Sequence, residues 1–288
     1  MRKLSKRVWY ILIIFSVVFT LVLGFVVWGL VENNSPKITN YTVRSDSLPS
    51  SFKGYKIAQV SDFHNAEIGK DNEKVLNLLK SANPDVIVLT GDLIDSRKTK
   101  IDVAVNFAKR ANEIAPCYYV SGNHESRLEN FDDFSTKLKN VGVTVLKNQK
   151  VRLFEGEEYI TLIGIEDPAF TNGYPSDKDS EYIEQALGEL IAEDDGYTVV
   201  LSHRPELLTS YSKSGVDIVF SGHAHGGQFR IPFVGGLFAP GQGYFPKYTQ
   251  GVIVEDNTNL VISRGVGNSA FPFRINNRPE IVVVELQK

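Results

Sequence analysis

Cysteine is nearly absent from this sequence, and basic residues are scarce beyond its first seven positions. The one cysteine, Cys117, excludes an internal disulfide, and its apolar run CYYV predicts a small buried side chain. A chain with a single cysteine is compatible with a location on either side of a membrane. After the first seven residues, 27 Lys and Arg stand against 34 Asp and Glu, a net charge of −7. Nucleic-acid binding needs a basic face, so we expect no nucleic-acid partner.

One long apolar run is present, near the amino terminus. The stretch from Val8 to Val31 carries no charge, and the acidic Glu32 follows it. A spanning helix needs about 20 apolar residues, so this stretch is long enough to cross a bilayer. Four basic residues precede it: Arg2, Lys3, Lys6 and Arg7. This asymmetry predicts a single-pass protein of the cell membrane, with a cytoplasmic amino terminus and the remaining chain outside the cytoplasm.

Two other interpretations of the run stay open. A cleaved signal peptide has an apolar region of about 7 to 15 residues before small residues at the cleavage site, whereas this run is longer and leads into LVENNSP. A buried core helix is the third possibility. We favour the uncleaved anchor and divide the chain into a cytoplasmic tip and anchor (1–31), a linker with a first strand (32–47) and a globular domain (48–288).

Strand-like and helix-like segments alternate along the globular part. Apolar runs such as DVIVLT are followed by amphipathic segments such as VAVNFAKRANEIA, which indicates an α/β fold. After His225 the sequence becomes rich in glycine and aromatic residues before three further strand-like runs. We expect two stacked mixed β-sheets flanked by helices, although periodicity alone also allows one larger sheet.

Five apolar runs end in polar residues that suit a metal ion. A lone strand-end aspartate is usually a turn or cap residue, and a lone histidine is usually a hydrogen-bonded one. Ligands in open α/β sheets gather beyond the carboxyl ends of strands, so five such ends together favour one metal site. The residues at these ends are Asp62 and His64, then Asp92, then Asn123 and His124, then His203, and finally His223 and His225.

These residues lie in motifs that resemble those of the calcineurin-like metallophosphoesterases. In chain order the motifs are DFH (62–64), GDLID (91–95), GNHE (122–125), the isolated His203 and GHAH (222–225). The segments LPSSFKGYKIAQVSDFHN, GHAHGGQFRIPFVGGLF and SRGVGNSAFPFRINNRPEI are similar to the bacterial membrane-associated phosphodiesterase branch. The resemblance covers roughly Leu48 to the carboxyl terminus and implies a four-layer αββα sandwich for the domain 48–288.

By resemblance, the chain holds two divalent metal ions. Mixed nitrogen and oxygen ligands admit Mn, Fe or Zn, and Mn is favoured. A carboxylate shared between two metals holds them about 3.5 to 4 Å apart, so that a bridging water loses its proton and attacks phosphorus. The resemblance implies Asp62, His64, Asp92 and His225 as ligands of the first metal, and Asp92, Asn123, His203 and His223 as ligands of the second.

The resemblance also implies that His124 does not bind metal. It would stabilise phosphate oxygens or protonate the leaving oxygen, with Asp95 orienting its ring. The alternative for Asp95 is a plain helix cap. The reaction implied is hydrolysis of a phosphodiester or pyrophosphate bond in a small-molecule or lipid-linked substrate.

Two further groups of residues are candidates for substrate contact. A guanidinium binds phosphate bidentately, so Arg264, Arg274 and Arg278 are candidate phosphate ligands, with surface salt bridges as the alternative. Six aromatic residues between 229 and 248 form either a lipid-facing lip or part of a loop-rich core. These are Phe229, Phe233, Phe238, Tyr244, Phe245 and Tyr248.

Two other functions compete with phosphodiester hydrolysis. Resemblance to phosphoprotein phosphatases calls for arginine directly after the second aspartate of GDLID, where this chain has Ser96, with Arg97 one step later. A non-catalytic metal-binding scaffold would be expected to lack a ligand or the catalytic histidine, and the motifs here are complete. Both alternatives are therefore less favoured.

Overall fold

Two six-stranded sheets form the centre of the molecule. The computed structural model describes residues 5–173, 176–192, 195–268, 271 and 273–288. Arg2 and Lys3 of the basic cluster lie outside these residues. Both sheets are mixed and helices cover their outer faces, so the predicted α/β fold with two stacked sheets is confirmed and a single larger sheet is excluded.

The first sheet is parallel except at one pair of strands. Its order is β1-β16-β2-β3-β4-β5, and only the pair β16 and β2 is antiparallel. The strands span Lys37–Arg44 (β1), Lys56–Val60 (β2), Val86–Thr90 (β3), Cys117–Val120 (β4), Thr144–Val145 (β5) and Glu280–Gln287 (β16).

The second sheet has a parallel centre and two antiparallel edges. Its order is β14-β15-β9-β8-β7-β6. The strands span Gln149–Glu155 (β6), Glu158–Gly164 (β7), Thr198–Leu201 (β8), Ile218–Ser221 (β9), Gly251–Glu255 (β14) and Thr258–Ile262 (β15). Two short hairpins precede β14, formed by Arg230–Ile231 (β10) with Gly235–Gly236 (β11) and by Phe238–Ala239 (β12) with Gly243–Tyr244 (β13).

Side-chain alternation along the strands produces the layers. Strand β3 is buried on both faces: Ile87 and Leu89 join the core beneath the helices, while Val86 and Val88 join the core between the sheets. A third core lies between the second sheet and its helices. The helices are Glu73–Ala82 (α2), Ile101–Asn112 (α3) and Phe131–Asn140 (α4) on the first sheet, and Ala169–Asn172 (α5), Asp179–Leu190 (α6) and Leu208–Lys213 (α7) after β7.

Strand β1 is an integral edge of the first sheet. It pairs in parallel with the carboxyl-terminal strand β16, from Lys37 opposite Glu280 to Arg44 opposite Gln287. The predicted division at residue 48 would separate this strand from its partner. That division stays a prediction, but regular sheet structure begins at Lys37.

Helix α1, Lys6–Asn33, is long and apolar enough to cross a membrane, by length and composition. Ser5 caps it, because its Oγ accepts a hydrogen bond from the Val8 amide at 3.4 Å. Within the helix only Gly29 is buried, and the apolar side chains from Val8 to Val31 are exposed. A buried core helix is therefore wrong for this segment.

Candidate metal centre

The five strand ends meet in one cluster of buried side chains. Residues from β2, β3 and β4 of the first sheet face residues from β8 and β9 of the second. Asp92 lies at the centre, with its Oδ2 atom 3.5 Å from Nε2 of His64 and 3.3 Å from Nε2 of His203. The convergence expected from the sequence is therefore present, although 139 residues of chain separate His64 from His203.

Two groups of candidate ligands share Asp92. One contains Asp62, His64, Asp92 and His225, and the other contains Asp92, His203 and His223. A third group of side chains that could hold a metal ion contains His64, Asp95 and His124. In the first group the Nε2 atoms of His64 and His225 lie 3.1 Å apart. In the second, Nδ1 of His223 lies 3.2 Å from Nε2 of His203. Apart from Asn123, the two groups that share Asp92 contain the residues that the resemblance implies for the two metals, and the ligand assignment stays a prediction.

The atoms present fit a pair of divalent cations. Ligand atoms about 2.0 to 2.2 Å from one cation lie about 3 Å from each other, which is the spacing of the facing imidazole nitrogens. Oδ1 of Asn123 is buried and has no hydrogen-bond partner among the described residues. A buried acceptor without a partner is costly, and a cation would satisfy it. Asn123 is the fourth ligand that the resemblance implies for the second metal.

Burial and mutual charge control ionisation in the cluster. Burial raises the pKa of Asp62 to about 6 and lowers the pKa of His64 to about 3. Burial also opposes ionisation of Asp92, but the combined effect of His203, His124 and His64 outweighs it and holds the pKa of Asp92 well below its usual range. Buried carboxylates need a compensating positive charge, which divalent cations would supply.

The ring of His203 is oriented by backbone. Its Nδ1 atom lies 2.8 Å from the carbonyl oxygen of Thr90, which can only accept, so Nδ1 carries a proton. That contact directs Nε2 toward Asp92. Such a hydrogen bond on the far nitrogen is the usual device that fixes the tautomer of a metal-binding histidine.

Five of the candidate ligands have left-handed backbone conformations. Residues other than glycine rarely adopt positive φ, and each costs on the order of 1 kcal/mol or more. Such strain persists where the surrounding structure imposes it, often at functional sites. The five are Asp62 (φ 49°), His64 (46°), Asp92 (49°), His223 (65°) and His225 (46°).

Glycines let the strand-end loops approach one another. A Cβ atom on Gly122 would overlap Oδ1 of Asp92, and one on Gly222 would overlap Oδ2 of Asp62. The amide of His223, next in the chain, donates to both carboxylate oxygens of Asp62 at 3.0 and 3.1 Å. The first glycine of GNHE and of GHAH is therefore required by close packing against a candidate ligand.

Glu125 is a structural residue whose importance the sequence did not reveal. It is fully buried, and its two carboxylate oxygens accept hydrogen bonds from the amides of Asp92 (2.9 Å), Ile94 (3.1 Å) and Gly122 (2.7 Å). It therefore holds the loop after β3 against the loop after β4. The only signal in the sequence is its place as the last residue of GNHE.

His124 lies beside the ligands, with its ring centroid 4.6 Å from that of His64. Its Nδ1 atom accepts a hydrogen bond from the backbone amide of Ser96 at 3.0 Å. The Oδ1 atom of Asp95 lies 3.6 Å from this nitrogen, and the carboxylate instead binds Arg97 through both oxygens. Burial lowers the pKa of His124, so the neutral ring carries its proton on Nε2. The direct orienting contact therefore comes from Ser96.

The carboxylate of Glu206, which is 18% exposed, lies behind His223. The Oε1 atom of Glu206 is 3.8 Å from Nε2 of His223, the nitrogen opposite the one that faces His203. Burial raises the pKa of Glu206 to about 7. Arg204 beside it is buried and forms a bidentate pair with Asp167 at 2.6 and 2.8 Å. Asp167, Arg204 and Glu206 lie outside the motifs recognised in the sequence.

The three candidate arginines lie in different surroundings, and Arg274 contacts a candidate ligand. Arg264 pairs with Glu280 at 2.8 Å, and Arg278 donates to the carbonyl of Ser35 at 2.8 Å. Arg274 is buried, donates to the carbonyl oxygens of Arg264 and Gly267, and has Nη2 3.3 Å from Nδ1 of His225. Their role as phosphate ligands stays a prediction.

The aromatic segment divides between the two predicted roles. Phe233, Phe238, Tyr244 and Phe245 are exposed. Phe229 and Tyr248 are half-buried, and Tyr248 packs against the core beneath α6 and α7. Most of these aromatic side chains therefore do not serve as core.

Comparison with known proteins identifies the family. The family model described as calcineurin-like phosphoesterase matches residues 55–227, which is more than half of the chain. The chain belongs to the calcineurin-like phosphoesterases. The matched range contains every motif of this phosphoesterase from DFH to GHAH.

Relatives of this phosphoesterase occur in bacteria and vertebrates. An uncharacterised metallophosphoesterase, YkuE of Bacillus subtilis, is 28% identical, covering 89% of this chain and 87% of that protein. The phosphodiesterase YaeI of Escherichia coli is 29% identical, covering 70% of each chain. A transmembrane protein with a metallophosphoesterase domain from Danio rerio is 27% identical over 96% of this chain, which spans 62% of that protein.

A solved structure supports the fold. The crystal structure of TT1561 of Thermus thermophilus superimposes with a TM-score of 0.51 at 14% sequence identity. The match covers 74% of this chain and 90% of that one. At this identity the likeness concerns the fold alone.

Proposed function

We propose that this phosphoesterase is a membrane-anchored hydrolase of phosphodiester or pyrophosphate bonds that uses two divalent metal ions. The observation that carries the proposal is Asp92, whose carboxylate belongs to both groups of candidate ligands. A shared carboxylate between two ligand sets is the arrangement of two-metal phosphoester hydrolases.

The proposed first metal is held by Asp62, His64, Asp92 and His225, and the second by Asp92, Asn123, His203 and His223. The buried amide oxygen of Asn123, without a partner among the described residues, supports its place in the second set. When bound, two divalent cations, with Mn favoured over Fe or Zn, would polarise the phosphate and supply a nucleophile from water at neutral pH.

His124 is proposed to stabilise charge that develops on the substrate through a hydrogen bond. With Nδ1 accepting from Ser96, the ring presents its Nε2 proton to phosphate oxygens or to the leaving oxygen. Asp95 is proposed to act in support: it lies 3.6 Å from Nδ1 and adds negative charge beside a ring that Ser96 already orients. Arg264 has an unused hydrogen-bond donor that could bind phosphate. Its Nη2 atom is buried and has no hydrogen-bond partner among the described residues.

Membrane attachment is proposed through α1, with the amino terminus in the cytoplasm and the catalytic domain outside. The length and composition of α1 and the transmembrane relatives support an anchor, and the basic residues before it support the orientation. The substrate is then a small or lipid-linked phosphoester reached from the outer surface. The net charge of −7 outside the tip disfavours nucleic acid.

Phosphodiesterase activity is favoured over phosphoprotein phosphatase activity by two observations. The relative YaeI is named a phosphodiesterase, and Ser96 stands where the phosphatase pattern calls for arginine. A non-catalytic scaffold is disfavoured because the sequence contains His124 and all seven candidate ligands, and six of the seven lie in the two groups that share Asp92.

The proposal is tested by measuring bound metal and hydrolysis of bis(p-nitrophenyl) phosphate on the full chain, with Mn and Zn added separately. His124→Ala is expected to keep both metals while turnover falls by about 10²- to 10³-fold, the usual cost of removing one preorganised hydrogen-bond donor to developing charge. Asp92→Asn is expected to lose metal and activity together. Asp102→Asn on the exposed surface of α3 is the matched control and should match the parent chain.

Full activity in His124→Ala would reject its proposed role. Absence of turnover with every divalent metal tried, while metal still binds, would favour the scaffold. A phosphomonoester and a phosphopeptide assayed in parallel distinguish phosphatase from phosphodiesterase activity.

A further inference from the structure

The two hairpins after His225 and the adjoining loop present exposed apolar side chains together. We define the apolar face as Ile231, Phe233, Val234, Tyr244, Phe245 and Phe271. Phe233 is fully exposed, and Tyr244 and Phe245 are 74% and 64% exposed. Large contiguous apolar surfaces on soluble parts of a protein mark contact sites for another protein or a membrane.

The two hairpins and the loop form one unit. The Arg230 amide donates to the Ile275 carbonyl at 2.9 Å, and the rings of Phe229 and Phe271 lie 5.8 Å apart. The second hairpin joins through Leu237, whose amide donates to the Phe229 carbonyl at 2.8 Å. A displacement of the loop would therefore move both hairpins.

The same loop is attached to the end of α1. The side chain of Asn33 forms two hydrogen bonds with the backbone of Arg274. Nδ2 of Asn33 donates to the carbonyl oxygen of Arg274, and Oδ1 of Asn33 accepts from the amide of Arg274, each at 2.9 Å. The ring of Phe273 packs directly on Gly29, where a Cβ atom would overlap it. Gly29 lies inside the uncharged stretch from Val8 to Val31. A loop that contacts this stretch lies at the level of the bilayer surface if α1 spans.

Backbone conformation at two residues of the apolar face supports a contact role. Phe233, in the turn of the first hairpin, and Phe245, directly after β13, both have left-handed φ, 66° and 54°. Asparagine or glycine would adopt these conformations with less strain, so backbone geometry does not explain a bulky, exposed apolar residue at either position.

Charge around the apolar face suits a membrane surface. Residues 218–254 and 257–279 contain no aspartate or glutamate, although the chain beyond its first seven residues is acidic overall. The charged residues in these ranges, apart from histidine, are Arg230, Lys247, Arg264, Arg274 and Arg278. A face without negative charge can approach anionic lipid headgroups without repulsion.

We propose that the apolar face inserts into the headgroup region of the bilayer that holds α1, so that the metal centre opens toward lipid-borne phosphoesters. This inference rests on the proposed membrane anchor and deepens the proposed function. The same polypeptide connects face and centre, because the Asn277 side chain donates to the His225 carbonyl at 2.7 Å and the first hairpin begins five residues after His225.

The test uses the full chain in nanodiscs of phosphatidylcholine and phosphatidylglycerol. Single cysteines replace Phe233 or Phe245 and carry a fluorophore that brominated lipids quench. Cys117 does not compete for the label, because it is buried and burial raises the pKa of its thiol to about 12. Val18→Cys in the middle of α1 is the positive control, and Phe154→Cys, exposed on β6, is the negative control.

Labels at 233 and 245 are expected to lose fluorescence with brominated lipid as the Val18 label does, while the Phe154 label does not. Quenching at 18 without quenching at 233 and 245 would overturn the insertion of the face. An unquenched label at 18 would refute the anchor and the inference with it. Hydrolysis of bis(p-nitrophenyl) phosphate by the Val18→Cys and Phe154→Cys samples reports separately on the proposed function, and it is expected to equal that of the parent chain.

Discussion

Glu125 shows how much of the metal centre depends on one buried side chain. Three amides from two loops donate to its carboxylate, and two of them belong to Asp92 and to Gly122, next to Asn123. Both candidate metals therefore depend on a residue that would ligate neither. A carboxylate suits this position because its three hydrogen-bond partners are all donors, and the amide nitrogen of a glutamine would face one of them.

At this scale we expect Glu125→Gln to destabilise the fold by about 1 to 3 kcal/mol, since one buried amide loses its acceptor. Metal affinity should fall by about 10- to 100-fold, as for other residues that support ligands. Isothermal titration with Mn²⁺ and urea unfolding measure the two effects. Glu129→Gln, at an exposed position in the same segment, is the control. Unchanged affinity in Glu125→Gln would show that the loops hold their geometry without it.

At the scale of elements, the centre depends on how closely the loops after parallel strands can approach. The loops after β2 and β9 meet at Gly222, and those after β3 and β4 meet at Gly122. Side chains reach the centre from left-handed backbone because each loop turns sharply at the end of its strand. Sheet geometry brings the strand ends together, and the glycines allow the final contact.

Gly222→Ala is expected to displace Asp62 and to lower metal content and phosphodiester hydrolysis together. The added Cβ would overlap both Oγ of Ser61 and Oδ2 of Asp62, which are packed between the two sheets. Gly188→Ala in α6 is the matched control, because no atom lies within 4 Å of its Cβ position and alanine favours a helix by about 1 kcal/mol. A Gly222→Ala chain with normal metal content would contradict the close-packing argument.

For the whole molecule, the centre lies where the two sheets join. Gln59 of β2 crosses between them: its Nε2 atom donates to Oγ1 of Thr90 at 2.8 Å and to the carbonyl of Ser221 on β9 at 2.9 Å. His223 then donates to Asp62 across the same junction. Metal bound here would tie the first sheet to the second.

Metal binding is therefore expected to stabilise the entire fold. A ligand at 100 times its Kd adds about 2.7 kcal/mol to the free energy of unfolding if it binds only the native state. For a domain of this size we expect the Tm to rise by about 2 to 4 °C per kcal/mol when Mn²⁺ is added and to fall again with a chelator. Calorimetry on the parent chain and on Asp92→Asn measures this. An equal rise in both would mean that the stabilising metal binds elsewhere.

The sequence alone determined the properties that local pattern controls. Strand and helix periodicity gave the α/β class, the uncharged run gave the helix α1, and polar residues at strand ends gave the candidate ligands, because each reflects burial or backbone geometry within a few residues. The motifs also marked His124 as distinct from the other four histidines.

The folded structure sets the contacts between distant parts of the chain. It placed β1 beside β16, made Ser96 rather than Asp95 the direct partner of His124, revealed Glu125 and Glu206 behind the candidate ligands, and joined the end of α1 to the loop at Arg274. Such contacts depend on packing between segments far apart in sequence. No local pattern encodes them, because side-chain neighbours are fixed only once both sheets and their loops have assembled.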